Sequence, residues 1–111
     1  MMIWLVDSGA SRHMTGYRST LTYLIEKKSS MHVELGDDAT YAIQGVGSTS
    51  FQLDFGIVLH IEGILFVSSL KKNLLSISAL EDKGFKVTFM DGKALWWPKD
   101  GDMSSTVVIA V

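Results

Sequence analysis

IWLVDSGASRHMTG, residues 3–16, joins an apolar run to a polar turn. The four apolar residues Ile3 to Val6 predict a buried strand. Asp7 and Ser8 then leave this strand, and Gly9 gives the backbone the freedom for a sharp turn. The stretch therefore predicts a carboxylate at the end of a rigid strand, close to a hydroxyl and to backbone N–H groups. Such a position suits a catalytic side chain, because the scaffold holds the loop in place.

The composition predicts one folded domain, residues 1–111. Hydrophobic residues make up 47% of the 111-residue chain, which is enough for one core and too apolar for a disordered segment. The net charge of −2 and the short pairs Lys27-Lys28 and Lys71-Lys72 provide no basic patch for nucleic acid. The chain has no cysteine for disulfides or thiolate metal sites, and no apolar run approaches the roughly 20 residues that span a bilayer. We therefore expect no nucleic-acid or membrane partner.

Short runs of β-branched and aromatic residues between Gly, Asp and Ser predict an all-β fold. Alternating apolar and polar residues at Met31 to Leu35 and at Thr40 to Gln44 predict the two strands of a hairpin. Asp91-Gly92 predicts a second hairpin turn. Further strands are predicted at residues 48–55, 57–61, 64–67, 85–90, 93–97 and 106–111.

Two segments predict helical structure. Ser76 to Lys83 has apolar residues at helical spacing, and Gly84 is a typical residue just beyond a helix end. Ser19 to Ile25 predicts a short helical turn capped by its first residues. Between the predicted strands, Gly45-Val46-Gly47 predicts a bend or a bulge.

The string from Asp7 to Gly16, DSGASRHMTG, resembles the active-site loop of the protease in copia-type LTR retrotransposon polyproteins. A second block, Ile64 to Val67 with Leu70 and Asn73 to Ile77, is similar to another pattern of that family. Ser76 stands in this block where retropepsins usually have glycine. The resemblance covers nearly the whole chain.

This resemblance implies a closed-barrel, retropepsin-like acid protease fold with one short helix. It also implies an aspartic endopeptidase, a hydrolase that processes the Gag-Pol polyprotein of its retrotransposon and needs no cofactor or metal. The location would be cytoplasmic, in the virus-like particle of the element, and Met1 would lie within a longer polyprotein. Residues 95–111 look like the start of the connection to the next segment of that polyprotein.

Peptide hydrolysis by carboxylates needs two of them, one ionised to take a proton from water and one protonated to polarise the scissile carbonyl. The sequence contains one Asp-Ser-Gly, which supplies half of such a pair. The chain therefore predicts a homodimer in which Asp7 of each subunit meets its copy across a two-fold axis. By the resemblance, Ser8 would bond across the dimer, Gly9 would let the backbone approach the two carboxylates, and Ala10 would line the substrate cleft.

The hairpin from Met31 to Gln44 would be the flap of this enzyme. A flap excludes water and aligns an extended peptide through backbone hydrogen bonds. Its predicted tip consists of Gly36, Asp37, Asp38 and Ala39, which we expect to contact the substrate or to form a solvated turn.

A catalytically silent module that derives from a retrotransposon, folds and dimerises is the alternative. The intact sequence from Asp7 to Ala10 favours the enzyme. The histidines are widely separated and have no cysteine nearby, which favours structural roles over metal binding: they are His13, His32 and His60. The tryptophans are expected to be core or dimer contacts: they are Trp4, Trp96 and Trp97.

Overall fold

Strands dominate the computed structural model, which describes residues 4–7, 9–27, 31–34, 39–52, 58–90, 93–98 and 107–110. The strands within these ranges are β1 (Trp4–Asp7), β2 (Met14–Thr15), β3 (Tyr23–Glu26), β4 (His32–Glu34), β5 (Thr40–Ala42), β6 (Gly45–Gln52), β7 (Val58–Phe66), β8 (Asn73–Ser76), β9 (Phe85–Met90), β10 (Lys93–Pro98) and β11 (Val107–Ala110). The helices are α1 (Ile77–Asp82) and a 3₁₀ turn (Arg18–Thr20). Within the described ranges, neither helix has the length and apolar character of a membrane-spanning segment.

The largest sheet has the strand order β1-β8-β2-β7-β6-β3. Strand β8 therefore lies between β1 and β2, parallel to β1 and antiparallel to β2. All four residues of β8 are buried, as expected for a strand with neighbours on both sides. The parallel register places Asp7 beside Ser76, so the end of β1 lies next to the start of α1.

Two smaller sheets complete the described structure. Strands β11, β10 and β9 form an antiparallel sheet, and β4 and β5 form a hairpin. The prediction of a mostly β fold with one short helix is confirmed. The predicted closed barrel is not found, because the pairings of the described strands leave three separate sheets.

The core lies on both faces of the large sheet. Neighbouring residues of one strand point to opposite faces, so Ile64 and Leu75 belong to one apolar cluster while Leu65 and Leu74 belong to the other. The first cluster also contains Trp4, Ile61, Leu80 and Trp96, and the second also contains Ala10, Met14, Ile43, Val67 and Leu70. Trp4 and Trp96 are therefore core residues, as one interpretation of the sequence predicted.

The predicted helical turn at Ser19 to Ile25 is largely wrong. The 3₁₀ turn ends at Thr20, and Tyr23–Glu26 pairs with β6 as a strand. This pairing depends on close approach, because a Cβ at Gly47 would lie 2.3 Å from the carbonyl oxygen of Tyr23. Tertiary pairing has therefore overridden a local helical preference.

The predicted hairpin and the predicted end of the helix at Gly84 are confirmed. Strands β4 and β5 pair as the predicted hairpin, and the register of β6 shifts between Gly47 and Thr49, next to the predicted bulge. Helix α1 begins after Ser76 and ends before Gly84, which has a φ of +89°. The strands predicted at 57–61 and 64–67 are one strand, β7, which passes through Gly63. The turn at residues 91–92 lies outside the described residues, although β9 and β10 pair on either side of it.

Candidate active site

Asp7 is the last residue of β1, and its half-buried carboxylate is held by its own loop. Oδ1 of Asp7 accepts a hydrogen bond of 2.8 Å from the backbone N–H of Gly9. The backbone N–H of Ala10 lies 3.4 Å from the carbonyl oxygen of Asp7. Strand β1 positions the carboxylate and the turn after it sets its direction, as the sequence predicts. The predicted burial of this strand is wrong beyond Trp4, because Leu5 is 40% exposed and Val6 is half-buried.

A groove of about 470 Å³ opens beside this loop, and Asp7, Gly9 and Ala10 form part of its wall. Other walls come from the β4–β5 hairpin, through Val33, Glu34 and Tyr41, and from residues on and before β8, through Leu70, Lys72 and Leu74. The hairpin therefore faces the loop that carries the carboxylate. A mixed polar and apolar groove of this kind can hold a peptide, whose backbone needs polar partners and whose side chains need apolar ones.

The structure brings together three of the predicted site residues, Asp7, Gly9 and Ala10. Ser8, along with the predicted flap tip at positions 36–38, lies outside the described residues. Ala39 is half-buried and is not part of the described groove wall.

The hairpin contributes strand residues that the sequence interpretation did not assign to the site. Val33 and Tyr41 are partners in the antiparallel register, so their side chains share one face of the hairpin. Both lie in the groove wall. The alternation of apolar and polar residues from Met31 to Leu35 already separates the two faces of β4. The sequence alone does not indicate which of these faces lies against the Asp7 loop.

A buried pair, Ser76 and His13, lies behind the loop. The hydroxyl of Ser76 donates a hydrogen bond of 2.6 Å to the carbonyl oxygen of Ala10 and accepts one of 3.1 Å from the N–H of Ala79. The backbone N–H of Ser76 donates to Nδ1 of His13 at 3.0 Å. Ser76 therefore joins the start of α1 directly to the loop.

His13 is kept neutral by its surroundings. Burial, with a smaller contribution from the positive charge of Arg12, lowers the pKa of His13 from 6.5 to about 4. Because Nδ1 accepts a hydrogen bond, the single proton of the neutral ring resides on Nε2. The expectation of a structural role for His13 agrees with its burial, since 4% of its surface is exposed.

Comparison with known proteins gives one family and two relatives. Residues 4–85 match the family described as "Pol polyprotein, beta-barrel domain". The chain is 34% identical over 77 residues to the Retrovirus-related Pol polyprotein from transposon RE1 of Arabidopsis thaliana. The matched region covers 69% of this chain and 5% of that protein. The chain is also 28% identical over 90 residues to the Retrovirus-related Pol polyprotein from transposon TNT 1-94 of Nicotiana tabacum. Here the matched region covers 81% of this chain and 7% of that protein. No solved structure matches the chain.

Proposed function

We propose that this chain, which belongs to the β-barrel domain family of Pol polyproteins, is one half of a homodimeric aspartic endopeptidase. One observation carries the proposal: the carboxylate of Asp7 lies at the end of strand β1, is oriented by Gly9 and lines a groove of about 470 Å³. The retropepsin-like character suggested by the sequence is part of this proposal. The functional half-unit would be a single domain of residues 1–111.

The chemistry needs the second subunit. Two copies of Asp7 about 3 Å apart cannot both be ionised, so the pair would hold one proton between them. The ionised carboxylate takes a proton from water, and the protonated one polarises the scissile carbonyl. Acid–base action of this kind contributes about 10²- to 10⁴-fold to the rate, and exact placement of the water supplies more. Neither step requires a metal or a cofactor.

The groove favours an extended peptide as substrate. Val33, Tyr41 and Leu70 offer apolar contacts, whereas Glu34 and Lys72 add one charge of each sign. An extended chain presents alternate side chains to opposite walls and leaves its backbone groups free for hydrogen bonds. The relatives are Pol polyproteins, so the proposed substrate is the retrotransposon polyprotein that contains this domain, cut in the cytoplasm.

A cleavage assay tests the catalytic role of Asp7. Peptides that span the junctions of the polyprotein should be cut by the wild-type chain at acidic pH and left intact by Asp7→Asn. This substitution keeps the shape of the side chain but removes its charge. Asp82→Asn is the matched control, because Asp82 is exposed at the end of α1 and should be dispensable. Cleavage by Asp7→Asn at the wild-type rate would reject the mechanism.

A mixing experiment tests the dimer. Adding an equal amount of Asp7→Asn chain to wild-type enzyme should lower the activity to about half, since half of the wild-type subunits would then pair with inactive partners. Activity that is unaffected by the added variant would contradict a shared site. If the wild-type chain cuts no junction peptide while it still dimerises, the catalytically silent module replaces the enzyme as the conclusion.

A further inference from the structure

Ser76 makes two of the hydrogen bonds that attach the loop after Asp7 to the rest of the fold, and the hydroxyl of Ser78 adds a longer one of 3.5 Å to the carbonyl oxygen of Ala10. The hydroxyl of Ser76 bonds to the carbonyl oxygen of Ala10, and the backbone N–H of Ser76 bonds to Nδ1 of His13. The main chain of His13 is also fixed, because its carbonyl oxygen accepts from the N–H of Leu65 at 2.9 Å. We call the hydrogen bonds that link Ala10, Ser76 and His13 the loop clamp.

Water has little access to the loop clamp. Ser76 is fully buried and His13 is 4% exposed. A buried donor that loses its acceptor costs about 1–3 kcal/mol, so the folded chain strongly favours the conformation in which both bonds form. The two residues between the attachment points, Ser11 and Arg12, are exposed and contribute no comparable anchor. The conformation of the loop therefore depends on the clamp.

The loop clamp is connected to the carboxylate of Asp7 by two short routes, one through the sheet and one through the loop. Ser76 is the register partner of Asp7 across the parallel β1–β8 pair. On the other side, Ala10 follows Gly9, whose N–H holds Oδ1 of Asp7. A displacement of Ser76 would therefore reach Asp7 both through the sheet and through the loop.

We propose that Ser76 and His13 are positioning residues that hold the Asp7 loop in its reactive conformation, an inference that rests on the endopeptidase function proposed above. Neither residue forms part of the described groove wall, so neither acts on the substrate directly. Their contribution is to the direction of the carboxylate and to the placement of the water that it activates. A misplacement of about 1 Å at a reacting centre can cost about 100-fold in rate.

The clamp needs a neutral histidine. A protonated Nδ1 would face the N–H of Ser76 as donor against donor, and the bond would be lost. The charged and titratable groups around His13 are Arg12 beside it and three residues that share a cavity of about 210 Å³ with it, His60, Glu62 and Lys83. Because the pKa of His13 is lowered to about 4, the acceptor persists in moderately acidic solution.

Two variants of His13 separate its acceptor from its bulk. His13→Leu fills the buried site but offers no acceptor, whereas His13→Asn places its side-chain oxygen near the former position of Nδ1. We expect His13→Leu to lower kcat by about 10- to 100-fold on a junction peptide and to change KM less than about 2-fold. We expect His13→Asn to recover most of kcat.

The amide resonances of Gly9 and Ala10, followed by NMR, report on the clamp without any substrate. His13→Leu should shift both resonances and speed their hydrogen exchange, and His13→Asn should restore them. Ser76→Ala removes the shorter of the two hydroxyl hydrogen bonds to Ala10, so it should shift the same two resonances; it serves if His13→Leu fails to fold.

Two outcomes of these experiments would overturn the proposal. Unchanged kcat and unchanged Gly9 and Ala10 resonances in His13→Leu would overturn the proposal. An equal loss in His13→Asn and His13→Leu would also overturn it, because bulk and not the acceptor would then matter. If the wild-type chain cuts no peptide, the proposed enzyme fails, and the amide resonances alone decide whether the clamp holds the loop.

Discussion

Lowering the pH towards 4 should weaken the folded domain through one buried side chain, His13. The unfolded chain protonates this histidine near pH 6.5, whereas the folded chain does so only near pH 4. Between these values the unfolded state binds the extra proton, so the free energy of unfolding falls as the pH falls through the window. Above pH 6.5 both states hold a neutral ring, and this contribution to the pH dependence vanishes.

The magnitude follows from the size of the pKa change. One pKa unit corresponds to about 1.4 kcal/mol, so lowering the pKa from 6.5 to about 4 amounts to about 3 kcal/mol. His13 is 4% exposed, and solvent screening should therefore reduce this value little. A small domain is stable by about 5–15 kcal/mol, so protonation of this single ring in the unfolded chain removes a large fraction of the total.

Urea unfolding of the wild type and of His13→Asn, at pH values from 7 down to 4 and at one protein concentration, measures the effect. The difference in free energy of unfolding between the two chains should change by about 3 kcal/mol across that range, in favour of the variant at low pH. Met14→Leu is the matched control, since Met14 is a buried neighbour in sequence that does not titrate. If the free energies of unfolding of the wild type and of His13→Asn change with pH in parallel, the predicted contribution of His13 is refuted.

Two further predictions concern the packing and the surface of the fold. Gly16→Ala should lower the thermal midpoint more than Gly63→Ala. A Cβ at Gly16 would lie 2.4 Å from the backbone nitrogen of Lys71, whereas a Cβ at Gly63 would meet open space and would strain only the backbone φ of +72°. Equal decreases in the thermal midpoint would contradict the predicted steric clash. Arg18→Ala should change the free energy of unfolding by less than about 0.5 kcal/mol in urea titrations, because its ion pair with Glu26 is exposed; a larger loss would show that this pair holds the adjacent strand.

The parts of the site that depend on neighbouring residues could be predicted from the sequence. The run Ile3 to Val6 followed by Asp7 and Gly9 specifies a strand and then a turn, and that is where the carboxylate lies. The cap residue Ser76 and the glycine at position 84 likewise mark the ends of α1. In each case the information lies within a few residues, where propensity and turn chemistry act directly.

The parts that depend on distant pairing could not be predicted. Strand β2 has two residues, Met14 and Thr15, which is too short for any alternation to be recognised, yet it pairs with both β7 and β8. The hydrogen bond between Ser76 and His13 spans 63 residues of sequence. A serine or a histidine considered alone in a sequence does not show whether its role is structural or functional. The position of β8 between β1 and β2 creates the contact, and the sequence pattern carries no sign of that order.

In the proposed dimer, the chemistry and the fold impose opposite demands on pH. The proposed mechanism needs one protonated carboxyl group, and a lower pH favours a proton on any pair of close carboxylates. The same change destabilises the fold below pH 6.5 through His13 and breaks the loop clamp once the ring of His13 is protonated near pH 4. The acid limit of activity should therefore be set in part by the scaffold. His13→Asn tests this limit directly, because it keeps an acceptor for Ser76 that does not titrate, and its activity should extend to lower pH than that of the wild type.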